Sequence, residues 1–433
     1  MRRTLPISCL AIPMAWLVAG CSGVVSLGGG GGGGGSQVTT GQGGAGGTAT
    51  TSASATTTTS ASASASASTG GIPGCMLPGP PNADMDGDGF TPLQGDCNDC
   101  DPNINPNAVE LPTLPGQTPV DENCDGVIDE DPAHCDANLA IDDGDPVHAA
   151  AAVELCKQSA GPNSWGLVSA KWVLPDGAAP PAAQQMAFDL GHGILHDFGP
   201  NVAVQHGSSL LALSSGTARR PTDPGYHDVA GYDKGYTSGS PMGFPKESPA
   251  CPGVTTGQSH DGVGLEVSVR APSNAHGFSF QFNFFTYEWP NFICSSFNDT
   301  FVSLLSPVPA GQMDGNISYD SMGNLVTVNN AFLQACACPP AGPACVAGGK
   351  TFLCSLGDTS LIGTGFGKDT GGTAHGSTSW LTTSAPISPG DVITLRWTQY
   401  DSGDGILDTT TLVDNWRWSA TPTAVLTYRP MKP

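Results

Sequence analysis

The stretch Phe278-Ser279-Phe280-Gln281-Phe282-Asn283-Phe284 places an aromatic ring at every second position of the chain. Successive side chains of a β-strand point to opposite faces, so this alternation predicts a strand with one apolar and one polar face. The same period recurs in Leu265–Val269, Ile393–Trp397 and Leu412–Trp418. Turns rich in Gly, Pro, Asn and Ser separate these stretches, which predicts a mostly β fold with a jelly-roll-like antiparallel β-sandwich over residues 161–433. We interpret the rings as sandwich core rather than as a platform for stacking sugars.

Several segments of this region resemble the choice-of-anchor L family, and together they span roughly residues 260–420. The resemblance implies an exported surface module that is joined to one of various anchoring devices. The family brings no established catalytic residues. The matching segments are Phe284–Phe301, Asn316–Phe332, Gly363–Phe366, Trp380–Pro389 and Asp401–Trp418.

Asp414 falls in the alternating pattern on the same strand face as Leu412, Trp416 and Trp418, so we expect its side chain to point inward. A buried carboxylate without a partner is costly, and it must be neutralised, accept several hydrogen bonds or bind a cation. We therefore consider a structural hydrogen-bonding role first and a metal ligand second. The candidate co-ligands for such a metal are Glu288, Asp299, Asp401 and Asp404.

An acidic block precedes the predicted sandwich. No Lys or Arg occurs from Met76 to Cys156, whereas seventeen Asp and Glu lie between Asp84 and Asp145. Such a block must be disordered or organised around cations. The whole chain has a formal net charge of -23, which argues against nucleic-acid binding because that activity needs a basic surface.

Two stretches of the block have the spacing of calcium-binding loops. Asp84–Phe90 reads D-x-D-x-D-G-F, and Asp121–Glu130 repeats D-x-N-x-D-G with a carboxylate at the ninth position. Ca²⁺ takes about six to eight oxygen ligands, and glycine permits the sharp turn. Neither stretch has the closing glutamate of an EF-hand, so we expect the two incomplete loops to complete each other; the alternative is a solvated acidic loop held only by disulfides. The predicted ligands are Asp84, Asp86, Asp88, Phe90, Asp96, Asp121, Asn123, Asp125, Val127 and Asp129.

The same block resembles the MopE-type metal-binding motif in three parts, which are Asp84–Phe90, Gly95–Glu110 and Asp121–Glu130. It departs from the motif by an extra cysteine, Cys100, and by a longer Pro-rich spacer before the third part. The resemblance implies a disulfide clamp between Cys97 and Cys124, and the extra Cys100 would then pair with Cys75. The motif takes its name from a copper-binding protein, but ligands that are all oxygen favour Ca²⁺.

The cysteine content indicates an oxidising compartment. Fourteen cysteines occur in the chain, and twelve remain once Cys9 and Cys21 are assigned to the N-terminal signal and its lipid. An even number in an exported chain favours disulfides. The alternative is zinc binding by Cys336, Cys338 and their neighbours.

A short helix is predicted near residues 145–152, with Asp145 as its N-cap and Pro146 at its first position. Cys135 and Cys156 bracket this helix, and we expect them to form a disulfide.

The first twenty residues read as a lipoprotein signal peptide. The run Leu5–Val18 is too short and too interrupted by proline to span a bilayer. It ends in Leu17-Val18-Ala19-Gly20-Cys21, which resembles a lipobox and predicts lipidation of the Cys21 thiol. Ser22 in the next position resembles the class sorted to the outer membrane. The alternatives are an ordinary signal peptide and an uncleaved anchor.

These patterns divide the chain into a signal peptide (1–20), a disordered Gly/Ser/Thr/Ala tether (21–74), an acidic metal-binding module (75–160) and the sandwich (161–433). They predict a lipid-anchored, calcium-stabilised surface protein without enzymatic activity, which binds a glycan or another surface protein. The alternative is a metal-dependent hydrolase that uses His192 and His196, with His206 nearby. A zinc peptidase helix would read His-Glu-x-x-His, whereas Gly193 follows His192 here.

Overall fold

A computed structural model describes residues 75–430, apart from 76, 78, 114, 132–133, 331, 339–344 and 371. The predicted signal peptide, the lipidation site at Cys21 and the predicted tether lie outside the described residues.

Strands dominate the described chain, as predicted, and the helices are short. The strands are β1 (Gly166–Val173), β2 (His192–Leu195), β3 (Leu210–Ser214), β4 (Thr237–Ser238), β5 (Ser259–Arg270), β6 (Gly277–Thr286), β7 (Thr300–Ser306), β8 (Ala335–Cys336), β9 (Cys345–Ala347), β10 (Lys350–Phe352), β11 (Gly376–Ser377), β12 (Leu381–Pro386), β13 (Val392–Ser402), β14 (Thr409–Ser419) and β15 (Leu426–Tyr428). The helices are α1 (Pro146–Ala151) and α2 (Gln185–Leu190), with 3-10 turns at Pro92–Gln94, Ala182–Gln184 and Thr359–Leu361. None of the helices described is long and apolar enough to cross a membrane.

Two antiparallel sheets form the sandwich. The smaller sheet has the strand order β1-β5-β13-β7, with β4 paired to β5. The larger sheet has the order β15-β12-β6-β14-β3-β2, and β11 joins β8 to β6. Strands β9 and β10 form a separate two-stranded sheet. Because β5 with β13, and β6 with β14, hold the central positions, their inner faces supply the core.

The four rings of the opening stretch lie on the inner face of β6, as the alternation predicts. Phe278, Phe280, Phe282 and Phe284 are fully buried in one apolar cluster with residues of β5 and β13. The ring of Phe280 meets Trp397 of the opposite sheet edge-on, with ring centroids 5.4 Å apart. Burial of this apolar surface is the main stabilising contribution to the sandwich, and the rings are core rather than an exposed platform.

Helix α1 belongs to the same core. Its N-cap Asp145 accepts a hydrogen bond from the N–H of Val147 (2.8 Å), and Pro146 takes the first helical position, as predicted. Ala149 and Ala150 of the helix pack in the sandwich cluster.

A second contact joins the acidic block to the sandwich. The side chain of Asn274, between β5 and β6, accepts a hydrogen bond from the backbone N–H of Val109 in the acidic block and donates one to its carbonyl. The boundary predicted at residue 160 therefore does not coincide with a break in packing.

Candidate metal centre

The first acidic loop (Asp84–Phe90) wraps around its own carboxylates. Asp84 accepts hydrogen bonds from the N–H groups of the two loop glycines, at 2.6 and 3.0 Å. Asp86 and Asp88 each accept from the N–H group two residues further on, at 3.2 and 2.8 Å. Gly87 and Gly89 have φ angles of 84° and 96°, which an L side chain rarely adopts. The backbone N–H groups of this seven-residue loop therefore hold its three aspartate side chains in place.

The second acidic loop (Asp121–Glu130) repeats these hydrogen bonds. Asp121 accepts from the N–H of Gly126 at 2.9 Å, and Asn123 accepts from the N–H of Asp125 at 2.9 Å. Asp125 accepts in turn from the N–H of the next predicted ligand, Val127, at 2.8 Å. The carboxylate of Asp129 instead accepts from the N–H of Thr113 at 2.8 Å. The predicted ligand Asp129 is therefore hydrogen-bonded to the spacer segment that precedes Asp121.

Carboxylates converge at the first loop. Asp86, Asp88 and Asp96 each present an oxygen within 4.8 Å of the others, and Asp84, Asp86 and Asp99 do the same. Asp96 and Asp99 are only 5% and 1% exposed. One oxygen of each of four residues is buried without a hydrogen-bond partner, in Asp86, Asp88, Asp96 and Asp99. The cluster therefore presents a set of oxygens that protein donors do not satisfy.

The electrostatics of the cluster disfavour ionised carboxylates in the absence of a cation. Burial, reinforced by repulsion from neighbouring carboxylates, raises the pKa of Asp86 to about 6 and that of Asp88 to about 6. The pKa of Asp96 is raised for the same two reasons. A bound cation would reverse this effect because an adjacent positive charge favours the ionised form. The donor set fits Ca²⁺, which binds carboxylate and carbonyl oxygen.

The carboxylates that converge at the first loop include none from the second loop among the described residues; they come from the first loop and from Asp96 and Asp99, and Asp99 was absent from the predicted ligands. Glu110 lies against the second loop, where it accepts from the N–H groups of Asn123 (2.9 Å) and Asp129 (3.1 Å). The segment between the loops folds back on both of them. The second part of the motif, Gly95–Glu110, contains both missed residues and was the signal for them. The prediction that the two loops complete each other around a cation stays a prediction.

Disulfides join all twelve cysteines outside the predicted signal and lipidation site. The predicted clamp Cys97–Cys124 forms, and so does the predicted pair around the helix, Cys135–Cys156. Cys336 and Cys338, the candidates for the zinc alternative, are each joined in a disulfide, whereas zinc binds thiolates. The sulfurs of Cys338, Cys345 and Cys354 lie within 4.8 Å of one another, so these residues would have to be reduced before they could hold a metal. The remaining pairs are Cys75–Cys100, Cys251–Cys294, Cys336–Cys354 and Cys338–Cys345.

Asp414 is fully buried, but the prediction that it shares a strand face with Leu412, Trp416 and Trp418 is only partly right. The register between β14 and β6 shifts after Asp414, and Asn415 has a φ of +56°. One extra residue at such a bulge moves the following side chains to the other face. Asp414 therefore shares a face with Leu412, while Trp416 packs in the sandwich core.

Hydrogen bonds account for the burial of Asp414. Its carboxylate accepts from the N–H groups of Gln205 (2.5 Å) and Asn415 (2.6 Å), and burial raises its pKa to about 7. Its acidic neighbours are Glu154 and Asp136. The co-ligands proposed from the sequence lie elsewhere: Glu288, Asp299 and Asp401 interact with one another, and Asp404 is exposed. The arrangement suits the hydrogen-bonding role.

The histidines do not assemble a hydrolase site. His192 lies in β2, is 2% exposed and stacks on Trp172 with ring centroids 3.8 Å apart. His196 is exposed, and its Nδ1 lies 2.9 Å from the carbonyl of Ser208. His192 and His196 are four positions apart, and extended chain of that length spans about 13 Å, which is too far for both side chains to bind one metal ion. The groups of side chains among the described residues that could hold a metal contain no histidine. His206 lies instead 3.3 Å from Glu154.

Comparisons with known proteins add little. No protein-family model matches the chain, and no curated protein matches it. Among solved structures it is similar to the K2 cleaved adhesin domain of Lys-gingipain, with 8% identity and a TM-score of 0.21. The match covers 58% of this chain and 88% of that one. So low a TM-score does not establish a shared fold, and the functional argument rests on the residues of this chain.

Proposed function

We propose that the chain is an exported surface-display protein whose acidic module binds Ca²⁺ and supports a β-sandwich presented for adhesion or ligand binding. One observation carries the proposal. Asp86, Asp88, Asp96 and Asp99 each bury an oxygen that has no hydrogen-bond partner, in a block that contains no Lys or Arg. Carboxylates crowded in this way repel one another unless a cation lies between them.

Calcium is the cation that the donor set favours. The side-chain ligands are oxygens, and Ca²⁺ tolerates the irregular geometry of a loop that supplies carboxylates and a backbone carbonyl, here that of Phe90. Copper and zinc prefer nitrogen and sulfur. We assign the second loop, with Asp121, Asn123 and Asp125, as a second calcium site. The resemblance to the MopE-type motif supports both assignments.

The display role follows from the compartment and the tether. Disulfides persist in oxidising compartments, and the described chain contains six. Lipid on Cys21 would hold the protein to the outer membrane, and residues 21–74 would keep the sandwich at a distance. The resemblance to the choice-of-anchor L family is consistent with this arrangement. The ligand is a glycan or another surface protein, and binding to a glycan array with and without EDTA distinguishes these two classes.

Calcium should raise the melting temperature of the full chain, and substitution in the first loop should reduce that gain. A ligand at 100 times its dissociation constant stabilises the folded state by about 2.7 kcal/mol. Thermal melts in millimolar Ca²⁺ and in EDTA measure the gain for the wild type and for Asp86→Asn combined with Asp88→Asn. The exposed Asp142→Asn is the matched control, and it should keep the full gain. Equal gains in all three proteins would contradict calcium binding by the loop.

Replacing the lipidated cysteine should release the protein from the membrane. In Cys21→Ser the acceptor thiol is missing, so detergent partitioning should move the protein to the aqueous phase. Several acyl chains are needed for stable attachment, and this one residue would carry them. Retention of the variant in the detergent phase would refute the lipid anchor.

A further inference from the structure

The carboxylates at the first acidic loop converge as two groups rather than as one. Oxygens of Asp84, Asp86 and Asp99 lie within 4.8 Å of one another, and so do oxygens of Asp86, Asp88 and Asp96. Ca²⁺ binds oxygen at about 2.3–2.6 Å, so two ligands of one ion lie at most about 5 Å apart. Each group is therefore compact enough to surround one ion, and Asp86 belongs to both groups.

Each group contains one aspartate that is almost completely buried. Asp99 is 1% exposed, and Asp96 is 5% exposed. In both residues Oδ1 accepts a backbone N–H at 2.8 Å, from Met85 to Asp99 and from Asn98 to Asp96. In both residues Oδ2 is buried and has no hydrogen-bond partner. A buried carboxylate oxygen without a donor is costly, and a bound cation would offset that cost in each group.

Asp86 can serve both groups at once. Its Oδ1 accepts from the N–H of Asp88 at 3.2 Å, and its Oδ2 is buried without a hydrogen-bond partner. A carboxylate oxygen that accepts one hydrogen bond keeps a second lone pair, so both oxygens of Asp86 can still bind a cation. In sites with two metal ions the ions lie about 3.5–4 Å apart, which is a separation that one carboxylate can bridge.

The charge of the cluster also favours two ions. The five aspartates of the two groups each carry one negative charge when ionised. None of the ion pairs in the described part of the chain includes any of them. One Ca²⁺ would neutralise two of these charges, and a second Ca²⁺ would neutralise two more. Carboxylates this close repel one another unless cations lie between them.

Disulfides fix the segment that supplies both buried aspartates. Asp96 lies next to Cys97 and Asp99 lies next to Cys100, and both cysteines are joined in disulfides. Cys100 is the extra cysteine by which this chain departs from the MopE-type motif. Because the cross-links limit the movement of this segment, less ordering entropy is lost when ions bind between it and the loop.

We propose that the two groups bind one Ca²⁺ ion each, with Asp86 as the bridging ligand. Asp84 and Asp99 complete one site, and Asp88 and Asp96 complete the other. The proposal rests on the calcium binding proposed above for the first loop, and it specifies how many ions that loop takes and which residues each ion binds. Both ions link the loop to the disulfide-held segment.

Calcium stoichiometry, measured by equilibrium dialysis of the purified full chain, tests the proposal. Asp121→Asn combined with Asp125→Asn disables the second acidic loop, so the ions counted in that background belong to the first loop. We expect two ions per chain. Asp99→Asn changes one group only and should reduce the count to one, and Asp88→Asn should do the same for the other group. Asp142→Asn, at an exposed residue, is the matched control and should keep both ions.

The outcomes separate this proposal from the calcium binding on which it rests. A single ion at the unsubstituted first loop would overturn the two-ion arrangement and leave calcium binding intact, whereas no ion at all would refute calcium binding by this loop as well. Two ions that remain bound in Asp99→Asn would contradict the assignment of Asp99. Asp86→Asn should weaken both ions, and one ion kept at wild-type affinity in that variant would rule out the bridge. Near-UV circular dichroism of the buried tryptophans shows whether each variant is folded.

Lanthanide luminescence provides a test that needs no substitution in the first loop. Tb³⁺ occupies oxygen-rich calcium sites, and Eu³⁺ in an adjacent site quenches its emission at short range. In the chain with the second loop disabled, loading with a mixture of the two ions should shorten the Tb³⁺ emission lifetime relative to loading with Tb³⁺ alone. An unchanged lifetime would overturn the two-ion arrangement.

Discussion

The acidic module and the sandwich both crowd carboxyl groups, but they hold them in different ways. In the first acidic loop, Asp84, Asp86 and Asp88 are held by N–H groups of the same seven residues. In the sandwich, Glu288, Asp299 and Asp401 come from three segments that only the packed sheets bring together. The geometry of the loop is therefore local, whereas the positions of the buried carboxyl groups depend on the whole core.

This difference predicts which substitutions should affect parts of the protein beyond their own surroundings. Damage to the sandwich core should disrupt everything that the sheets position, the buried carboxyl groups included. Damage to the first acidic loop should remain more confined, because that loop is held by its own hydrogen bonds and by the nearby disulfides Cys75–Cys100 and Cys97–Cys124.

The largest effect should follow from Phe280→Ala. Phe280 is fully buried and contacts Trp397 across the two sheets, and Phe-to-Ala substitutions at such sites cost about 3–5 kcal/mol. Denaturant unfolding of the disulfide-intact chain measures the loss. Met313→Ala, at a side chain that is 98% exposed, should change stability by no more than about 0.5 kcal/mol. Similar losses in both variants would mean that the β6 rings do not form the core.

A smaller, local effect should follow from Cys97→Ser combined with Cys124→Ser. This disulfide closes a loop across 27 residues, and the chain-entropy model assigns such a cross-link about 3.5 kcal/mol. We expect weaker calcium binding by the module, with little change in the near-UV circular dichroism of the buried tryptophans. Cys338→Ser with Cys345→Ser opens a loop of only 7 residues and should cost less. A matching collapse of the sandwich signal would show that the two regions are not separable.

Local patterns explain why so much of the fold was predictable. Alternation placed the rings of β6 on the inner face, and the Asp145-Pro146 pair marked the start of α1, because both depend on neighbouring residues only. The turn of the first acidic loop was predictable for the same reason, because the hydrogen bonds of Asp84, Asp86 and Asp88 lie within the loop itself. The second loop also depends on Glu110 and on the spacer at Thr113.

Non-local features were missed. The bulge at Asn415 depends on how β14 pairs with β6, and nothing in the alternation of β14 reveals the extra residue. That single residue reversed the face predicted for Trp416 relative to Asp414. The contact between Asp299 and Asp401 is likewise set by the antiparallel pairing of β7 with β13. Such pairings join residues a hundred positions apart, and strand periodicity carries no information about them.

The smallest predicted effect lies where the two regions meet, at Glu154. This residue follows α1, and its neighbours are Asp414, Asp136, Arg417 and His206. Burial, followed by repulsion from Asp414 and Asp136, raises its pKa to about 8 from an ordinary value of 4.5. The Nδ1 of His206 lies 3.3 Å from the carboxyl group, and both carboxyl oxygens of Glu154 are buried without a hydrogen-bond partner. Burial of this kind favours the neutral form in the folded state.

The sign of the pH dependence follows from this shift. Between pH 4.5 and pH 8 the folded chain keeps a proton on Glu154 that the unfolded chain releases, so this group makes stability fall as the pH rises. One pKa unit corresponds to about 1.4 kcal/mol, and Glu154 shares its shift with the neighbouring Asp414, so the loss from this one group is smaller than the shift alone implies. Glu154→Gln stays neutral and should flatten the profile, with a gain over the wild type near pH 8 and none near pH 4. Urea unfolding across this range in EDTA measures both proteins, and the exposed Glu247→Gln should keep the wild-type slope. Parallel profiles for wild type and Glu154→Gln would mean that Glu154 is ionised in the folded chain, stabilised by Arg417 and a charged His206.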